Sequence, residues 1–507
     1  MHMNNRTYDV VILGSGLGGL LCGAMLSKFN QKVCVLEKHH QVGGNLQTFV
    51  RKGIKFNSAM HYVGSLDEGQ ILHQVFTYLG IIEKIGVERL NSDCYEKIFI
   101  GEKEYCNATG VDAYKDRLLS YFPEEKNAIE AYIQKIQEIW TKINILNLRD
   151  ISDISDQETQ YTYENAYDFI YGLTDNEELR SLLSISNALY AGIPEKSSLL
   201  THAIISYHYM QSAYKFSDGS DKLAMALAQV IVDNGGVIQT NKTAVNFLFE
   251  EKQASAIKLE DGVIVKGRAF ISNIHPANTI KMVEPGRFRK AYVNRIEGLQ
   301  NTIGSFCVYI TLKKNVFLDI PSNVFISTSH EVWAAGKYDQ LKWPSNCMFY
   351  TKPDKDNPKF AESLVIATFM KYEELEQWEG TGIEKRGEEY QAFKKQKAEA
   401  ILNLIETKYP DIRTSIEEYY TATPLTFQDY TNNPGGSVYG VVKDCNNPRT
   451  SYISSTTRVP NLFLTGQNTG VGLHGVLGVT VSALFTCANF VEINTLLSRI
   501  RDENFMA

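Results

Sequence analysis

The chain has 507 residues, 44% hydrophobic and 21% charged, with a formal net charge of -7; this is the balance of a folded chain holding roughly two to four domain-sized units. Such an acidic chain lacks the clustered Lys and Arg that a phosphate backbone requires, which excludes nucleic acid as a partner. The eight cysteines contain no CxxC pair and read as reduced thiols of a cytoplasmic protein, neither a disulfide frame nor a metal site.

Tyr8 to Leu13 is a short, almost wholly apolar run, suited to a parallel strand buried on both faces. So near the N-terminus, it leaves no room for the apolar core of a signal peptide. It runs into Gly14-Ser15-Gly16-Leu17-Gly18-Gly19, after which Leu20, Leu21, Ala24, Met25 and Lys28 fall at helical spacing. The glycines therefore occupy a strand-to-helix turn whose N-terminus faces a ligand. Gly14 makes the tight turn, Gly16 lets the backbone approach a pyrophosphate, and Gly19 lets helix and strand pack closely. Lys32 to Leu36 is the next strand, and Glu37 at its end stands where an acid binds a ribose 2′-hydroxyl. Gly43-Gly44 follow closely, an extension that distinguishes a flavin site from an ordinary nicotinamide site. The cofactor set read here is Gly14, Gly16, Leu17, Gly18, Gly19, Glu37, Lys38, Gly43, Gly44 and Asn45, with FAD as the ligand. The fingerprint alone would also suit a glycine-rich turn of any α/β protein.

Farther along, Thr48 to Val50 and Ile54 to Phe56 flank Lys52-Gly53 as a hairpin. Ile71, Leu72, Val75, Phe76 and Leu79 share one helical face. The stretch to about 215 is mainly helical, with a strand pair near Tyr95 to Ile100 and Lys103 to Tyr105. Tyr190, Tyr207, Tyr209, Tyr214 and Phe216 read as core, with a tunnel lining as the alternative. A helix over Lys222 to Asn234, strands at Val237 to Thr240 and Thr243 to Val245, and a hairpin across Asp261-Gly262 lead to Phe270 to Asn273. Strands are expected near Phe306 to Leu312 and Leu364 to Phe369, and the alternating charges of Gly387 to Lys408 read as a solvated helix face.

Asn461 to Asn468 is a strand running into Gly466. Gly470 to Gly478 opens the last helix, whose N-terminus faces the pyrophosphate and the reducible edge of the flavin. The apolar window Val471 to Val491 carries His474, Asn489 and three early glycines, and reads as a buried helix rather than a membrane span. The expected fold is α/β: a Rossmann-type FAD-binding domain from 1–70, 215–285 and 455–507, interleaved with an α+β substrate domain from 71–214 and 286–454.

NSAMHYVG, PLTFQDYTNNPGGSVYG and NLFLTGQNTGVGLHGVLG together resemble the retinol saturase and carotenoid isomerase branch of the phytoene desaturase family. Its wider superfamily also holds amine oxidases and Rab GDP-dissociation inhibitors. The resemblance implies a glutathione-reductase-like FAD domain, in which Val245 meets the adenine through its backbone and Gly466, Gln467, Gly475 and Val476 lie at the cofactor. It implies a reaction at a carbon-carbon double bond of an apolar conjugated isoprenoid or lipid, with saturation ahead of isomerisation and desaturation. An amine oxidase and a non-catalytic prenyl- or lipid-binding protein are the rival readings. Reduced flavin supplies the hydride, which suits a chain with no catalytic triad. A second GxGxxG unit is missing, so electrons are expected from an external donor, a reduced nicotinamide or a redox protein. The apolar substrate implies loose peripheral association with a membrane surface. His61, Tyr62, Tyr439 and His474 are the catalytic candidates, against the plainer reading of isolated histidines as hydrogen-bonded core.

Overall fold

The computed structural model describes residues 6–59, 61–152, 160–470 and 473–506; Met60, Val471 and Gly472, which fall in the motifs above, lie outside them. Two seven-stranded sheets organise the chain. The first is built around Thr7–Leu13, which pairs in parallel with Val33–Leu36 on one side and Ile264–Ser272 on the other. Val10 to Leu13 are at most 2% exposed, as expected of a strand covered on both faces. Val237–Gln239 and Leu462–Leu464 add further parallel strands, and Gln253–Leu259 and Ala244–Glu250 continue antiparallel. The C-terminal ends of Thr7–Leu13, Val33–Leu36, Ile264–Ser272 and Leu462–Leu464 thus open side by side, where α/β sheets bind ligands.

The second sheet runs Ile416–Ala422, Gly304–Leu312, Ala361–Met370, Asn346–Pro353, Asn323–Ser327, Glu96–Ile100, Lys103–Asn107. Gly304–Leu312 is buried at every position, because sheet neighbours flank both edges and other layers cover both faces. Helices Lys126–Lys142 and Leu199–Gln211 pack against each other in a largely helical layer. The charged helix Gly387–Glu406 is solvated on one face only. The other buries Tyr390, Ile401, Leu402 and Ile405 and seats Lys397 on Glu374 at 2.5 Å.

Three expectations are corrected. Cys94 and Cys106 form a disulfide with Cα atoms 5.0 Å apart; the hairpin Glu96–Ile100/Lys103–Asn107 brings them together through its register, which twelve residues of sequence separation do not reveal. A disulfide is uncommon in a reducing cytosol, so cysteine usage no longer argues for that compartment. The helix at Gly475–Cys487 is not the last one. Ile493–Met506 follows it and docks on Ile71–Tyr78, where Asn504 Nδ2 donates to the Gln74 carbonyl at 3.1 Å. Among the aromatics read as core, Tyr209 instead faces a cavity.

Gly475–Cys487 is buried at nearly every position and packs against Leu17–Lys28, with Cys22 Sγ 3.9 Å from the Ala483 carbonyl. At 13 residues it is about 20 Å long, short of the ~30 Å apolar thickness of a bilayer. No helix among the described residues is long and apolar enough to cross a membrane.

Candidate cofactor and substrate site

One cavity of about 660 Å³ runs from the glycine turns of the first sheet to the second sheet. Every cofactor or catalytic candidate named from the sequence lines it except Gly19. Gly19 is packed rather than exposed to the cavity: a Cβ there would lie 2.2 Å from the Gly14 carbonyl oxygen, which is the close helix-strand approach expected of it. Gly16 differs. Its φ of −63° suits any residue, and an added Cβ would meet only the amide end of Asn273 within 4 Å. The glycine is therefore needed for space, and the space is the cavity at the N-terminus of Leu17–Lys28. Gly44 comes equally close from the opposite side, where a Cβ would lie 3.2 Å from Gly16 Cα. This cradle of backbone amides fits the pyrophosphate of FAD.

Glu37 is 6% exposed and already holds the turn. Its Oε2 accepts from Ser15 N–H at 2.9 Å and from the Ser15 hydroxyl at 2.6 Å, and Oε1 accepts from His39 N–H at 2.9 Å. Lys38 beside it has its ammonium pKa pulled down by burial, against the pull of Glu37 and Asp429. Val245 is 37% exposed at the same end of the cavity.

The far end is walled by Ile185, Leu189, Ile205, Phe325, Val332, Met348 and Val365 together with the rings of Tyr62, Tyr209 and Tyr350. Glu37 is the sole carboxylate among the described residues that line the whole cavity. The Tyr62 ring stacks on Tyr209 with centroids 4.3 Å apart, but its hydroxyl turns away to donate to Glu96 Oε1 at 2.7 Å. That places Tyr62 as wall, not as proton donor. His61 lies 5.4 Å from the Tyr350 ring, and burial lowers its pKa to about 4, so the imidazole is neutral at pH 7. The Tyr439 hydroxyl has only a long 3.5 Å contact to the Ala188 carbonyl, and burial raises its pKa, which keeps the phenol protonated. His474 sits 5.8 Å from that ring as the N-cap of Gly475–Cys487. Its pKa is pushed to about 3, first by burial and then by the charge of Lys443. The ring is buried and hydrogen-bonds to the Tyr439 backbone, while its Nδ1 has no partner among the described residues.

Sequence reasoning missed three residues. Asn273 ends the strand Ile264–Ser272 and, with its amide oxygen facing the turn, accepts from Gly16 N–H and Gly19 N–H at 3.3 Å each. A polar residue just past an apolar central strand was its only signal. Ser15 anchors Glu37, and the Lys443 Nζ donates to the Asn468 carbonyl at 3.1 Å.

The family described as flavin containing amine oxidoreductase matches residues 17–489. The chain belongs to this family. It is an FAD-dependent oxidoreductase. All-trans-retinol 13,14-reductase of Danio rerio is 27% identical over 98% of this chain and 89% of its own length. The chloroplastic prolycopene isomerase of Daucus carota is 23% identical over 96% and 80%. A crystal structure of an oxidoreductase from Methanosarcina mazei superposes with a TM-score of 0.65 at 16% identity, covering 94% of this chain and 99% of that one.

Proposed function

We propose that this flavoprotein reduces a carbon-carbon double bond of a long conjugated apolar substrate of the retinoid or carotenoid kind. The observation that carries the reading is the far half of the cavity, walled mainly by aliphatic and aromatic side chains, with Asn187, Ser327, Asn346 and Thr368 as uncharged polar members and no carboxylate among its described residues. The names of the full-length relatives, a retinol reductase and a carotenoid isomerase, support it. Bound FAD, once reduced, supplies a hydride. The chain's residues hold the substrate against that ring, exclude water through the apolar wall, and present a proton. Of the candidates, the Tyr439 phenol suits this last task, since it stays protonated and faces the cavity. His61 is neutral and contributes shape and packing. A polyene spreads developing charge over many carbons, which leaves the protein less charge to stabilise.

The test is anaerobic incubation of dithionite-reduced enzyme with retinol and carotenoids, followed by mass analysis. A gain of two hydrogens supports the proposal; unchanged mass with altered retention indicates isomerisation, and loss of two hydrogens by oxidised enzyme indicates desaturation. Electrons reach the flavin from an external donor, and the apolar substrate is taken from a membrane surface; co-sedimentation with phosphatidylcholine vesicles checks the second point, and its absence would count against it.

A further inference from the structure

Lys443 is only 9% exposed, yet it makes no ion pair within 4.0 Å among the described residues; its hydrogen bond goes to a neutral carbonyl, that of Asn468. The adjacent acid is engaged elsewhere: Asp444 lies 3.9 Å from Lys196 and accepts from Asn446 N–H at 3.0 Å. Burying an ammonium without a counter-charge costs several kcal/mol, and burial lowers the Lys443 pKa to about 8. A fold that needed only packing here would be better served by an apolar side chain.

The position of the lysine explains its retention. Asn468, which accepts from Lys443 through its carbonyl, also accepts Val441 N–H through Oδ1 at 2.9 Å, so the segment carrying Lys443 is fastened to Asn468. Gly466, Gln467 and Asn468 line the cavity, as does His474, the N-cap of Gly475–Cys487. A helix N-terminus carries roughly half a positive charge. The charge of Lys443 adds to burial in lowering the His474 pKa, and the buried Nδ1 of that ring has no hydrogen-bond partner among the described residues. A buried cation, a helix N-terminus and an unpartnered imidazole nitrogen thus converge on one corner, and no carboxylate of the described cavity lining answers them there.

We propose that Lys443, held on the Asn468 carbonyl, is the cation that stabilises the negative charge FAD acquires on reduction, acting together with the N-terminus of Gly475–Cys487. Transfer of a hydride from a reduced nicotinamide adds two electrons and one proton to the neutral ring, which leaves one negative charge on it and an oxidised nicotinamide behind. The role is electrostatic, and it rests on FAD binding alone, independently of the polyene reading.

The test uses FAD-loaded protein at pH 7 with sulfite as the probe, because sulfite adds to oxidised flavin and leaves a negative charge on the ring. Lys443→Met should weaken sulfite binding at least tenfold and lower the flavin potential by about 30 mV, the tenfold equivalent for a two-electron couple. Lys443→Arg should stay within about threefold of wild type. The apo form of Lys443→Met should melt no lower than wild type, since it loses an unpaired buried charge. Sulfite affinity within twofold of wild type and a potential within about 9 mV of it in Lys443→Met would overturn the proposal. A lowered apo melting point with Lys443→Arg equally impaired, or loss of FAD from both variants, would overturn it too, in favour of a structural lysine. Neither readout involves a polyene, so the substrate proposal can fail without affecting this one.

Discussion

Replacing Glu37 with alanine separates two roles that converge on one carboxylate. The side chain accepts three hydrogen bonds, two from Ser15 and one from the His39 amide. Two carboxylate oxygens offer about four acceptor positions, so roughly one remains for a ribose hydroxyl. Ser15 is fully buried; without Glu37 its N–H loses its acceptor, and an unsatisfied buried donor costs about 1 to 3 kcal/mol. The hydroxyl loses its acceptor as well, while the His39 amide, in a partly exposed setting, can turn to water. Apo stability should therefore fall by about 2 to 4 kcal/mol. Loss of the remaining charged hydrogen bond, about 1.5 to 3 kcal/mol, should weaken FAD a further 10- to 100-fold. Glutamine should not rescue either effect, because its NH₂ would face a backbone N–H. The measurements are thermal unfolding of the apo-protein and calorimetric titration with FAD. Wild-type values for both in Glu37→Ala would refute the reasoning and leave Glu37 as a plain strand terminator; a loss of FAD affinity with unchanged apo stability would refute only the turn-holding part.

Gly16→Val should give folded protein that purifies without yellow colour, because the backbone there suits any residue and the added side chain displaces only the amide end of Asn273 and fills the cradle; wild-type flavin content would contradict the assignment. Stability should fall as pH drops from about 6.5 toward 4. Burial holds His202, His208 and His474 near pKa 3 and His61 near 4, so below 6.5 the unfolded chain binds protons that the native state does not, and each such histidine withdraws about 2 kcal/mol by pH 5. Denaturant midpoints across this range would show it, and His202→Asn should flatten the slope by up to one proton; a flat profile would mean that these rings are not held neutral.

The glycine cradle was legible because it is local: strand, turn, helix, second strand and acid follow within about thirty residues, and each step is set by spacing. The second sheet was half legible. Phe306 to Leu312 and Leu364 to Phe369 announce themselves as apolar runs, whereas Asn323–Ser327 gains its place only by pairing in parallel with Glu96–Ile100, a partner from a distant part of the chain. The disulfide was hidden although its strand pair was read, because the register that brings Cys94 beside Cys106 is not visible in their spacing. Tyr62 was found as a residue but not as an orientation, since nothing in HYVG says that its hydroxyl turns to Glu96. Lys443 had no signal at all, because a lone lysine is ordinarily a solvated residue and its burial comes with a contact to Asn468, twenty-five residues on.

The family description includes amine oxidation, so an amine is the rival substrate that the cavity must be weighed against. At pH 7 a primary alkylamine is protonated, with a pKa near that of lysine, about 10.4. To sit in the far half of this cavity as an ammonium it would need a counter-charge, and the described lining offers none beyond Glu37, which belongs to the glycine-turn end and is already bonded to Ser15. To enter neutral it must first shed a proton, at about 5 kcal/mol at pH 7. That deficit would also meet the positive corner formed by Lys443 and the helix at Gly475. A polyene carries no such penalty, since it exchanges water for the aliphatic and aromatic wall and gains roughly 25 cal/mol per Å² of apolar surface buried. On this reasoning primary amines should leave the oxidised flavin unreduced under anaerobic conditions, with no acceleration between pH 7 and 9 beyond the rise in free base. Rapid bleaching of the flavin by an amine at pH 7, with retinol and carotenoids inert toward the reduced enzyme, would show that this cavity does hold a cation and that its substrate is not a polyene.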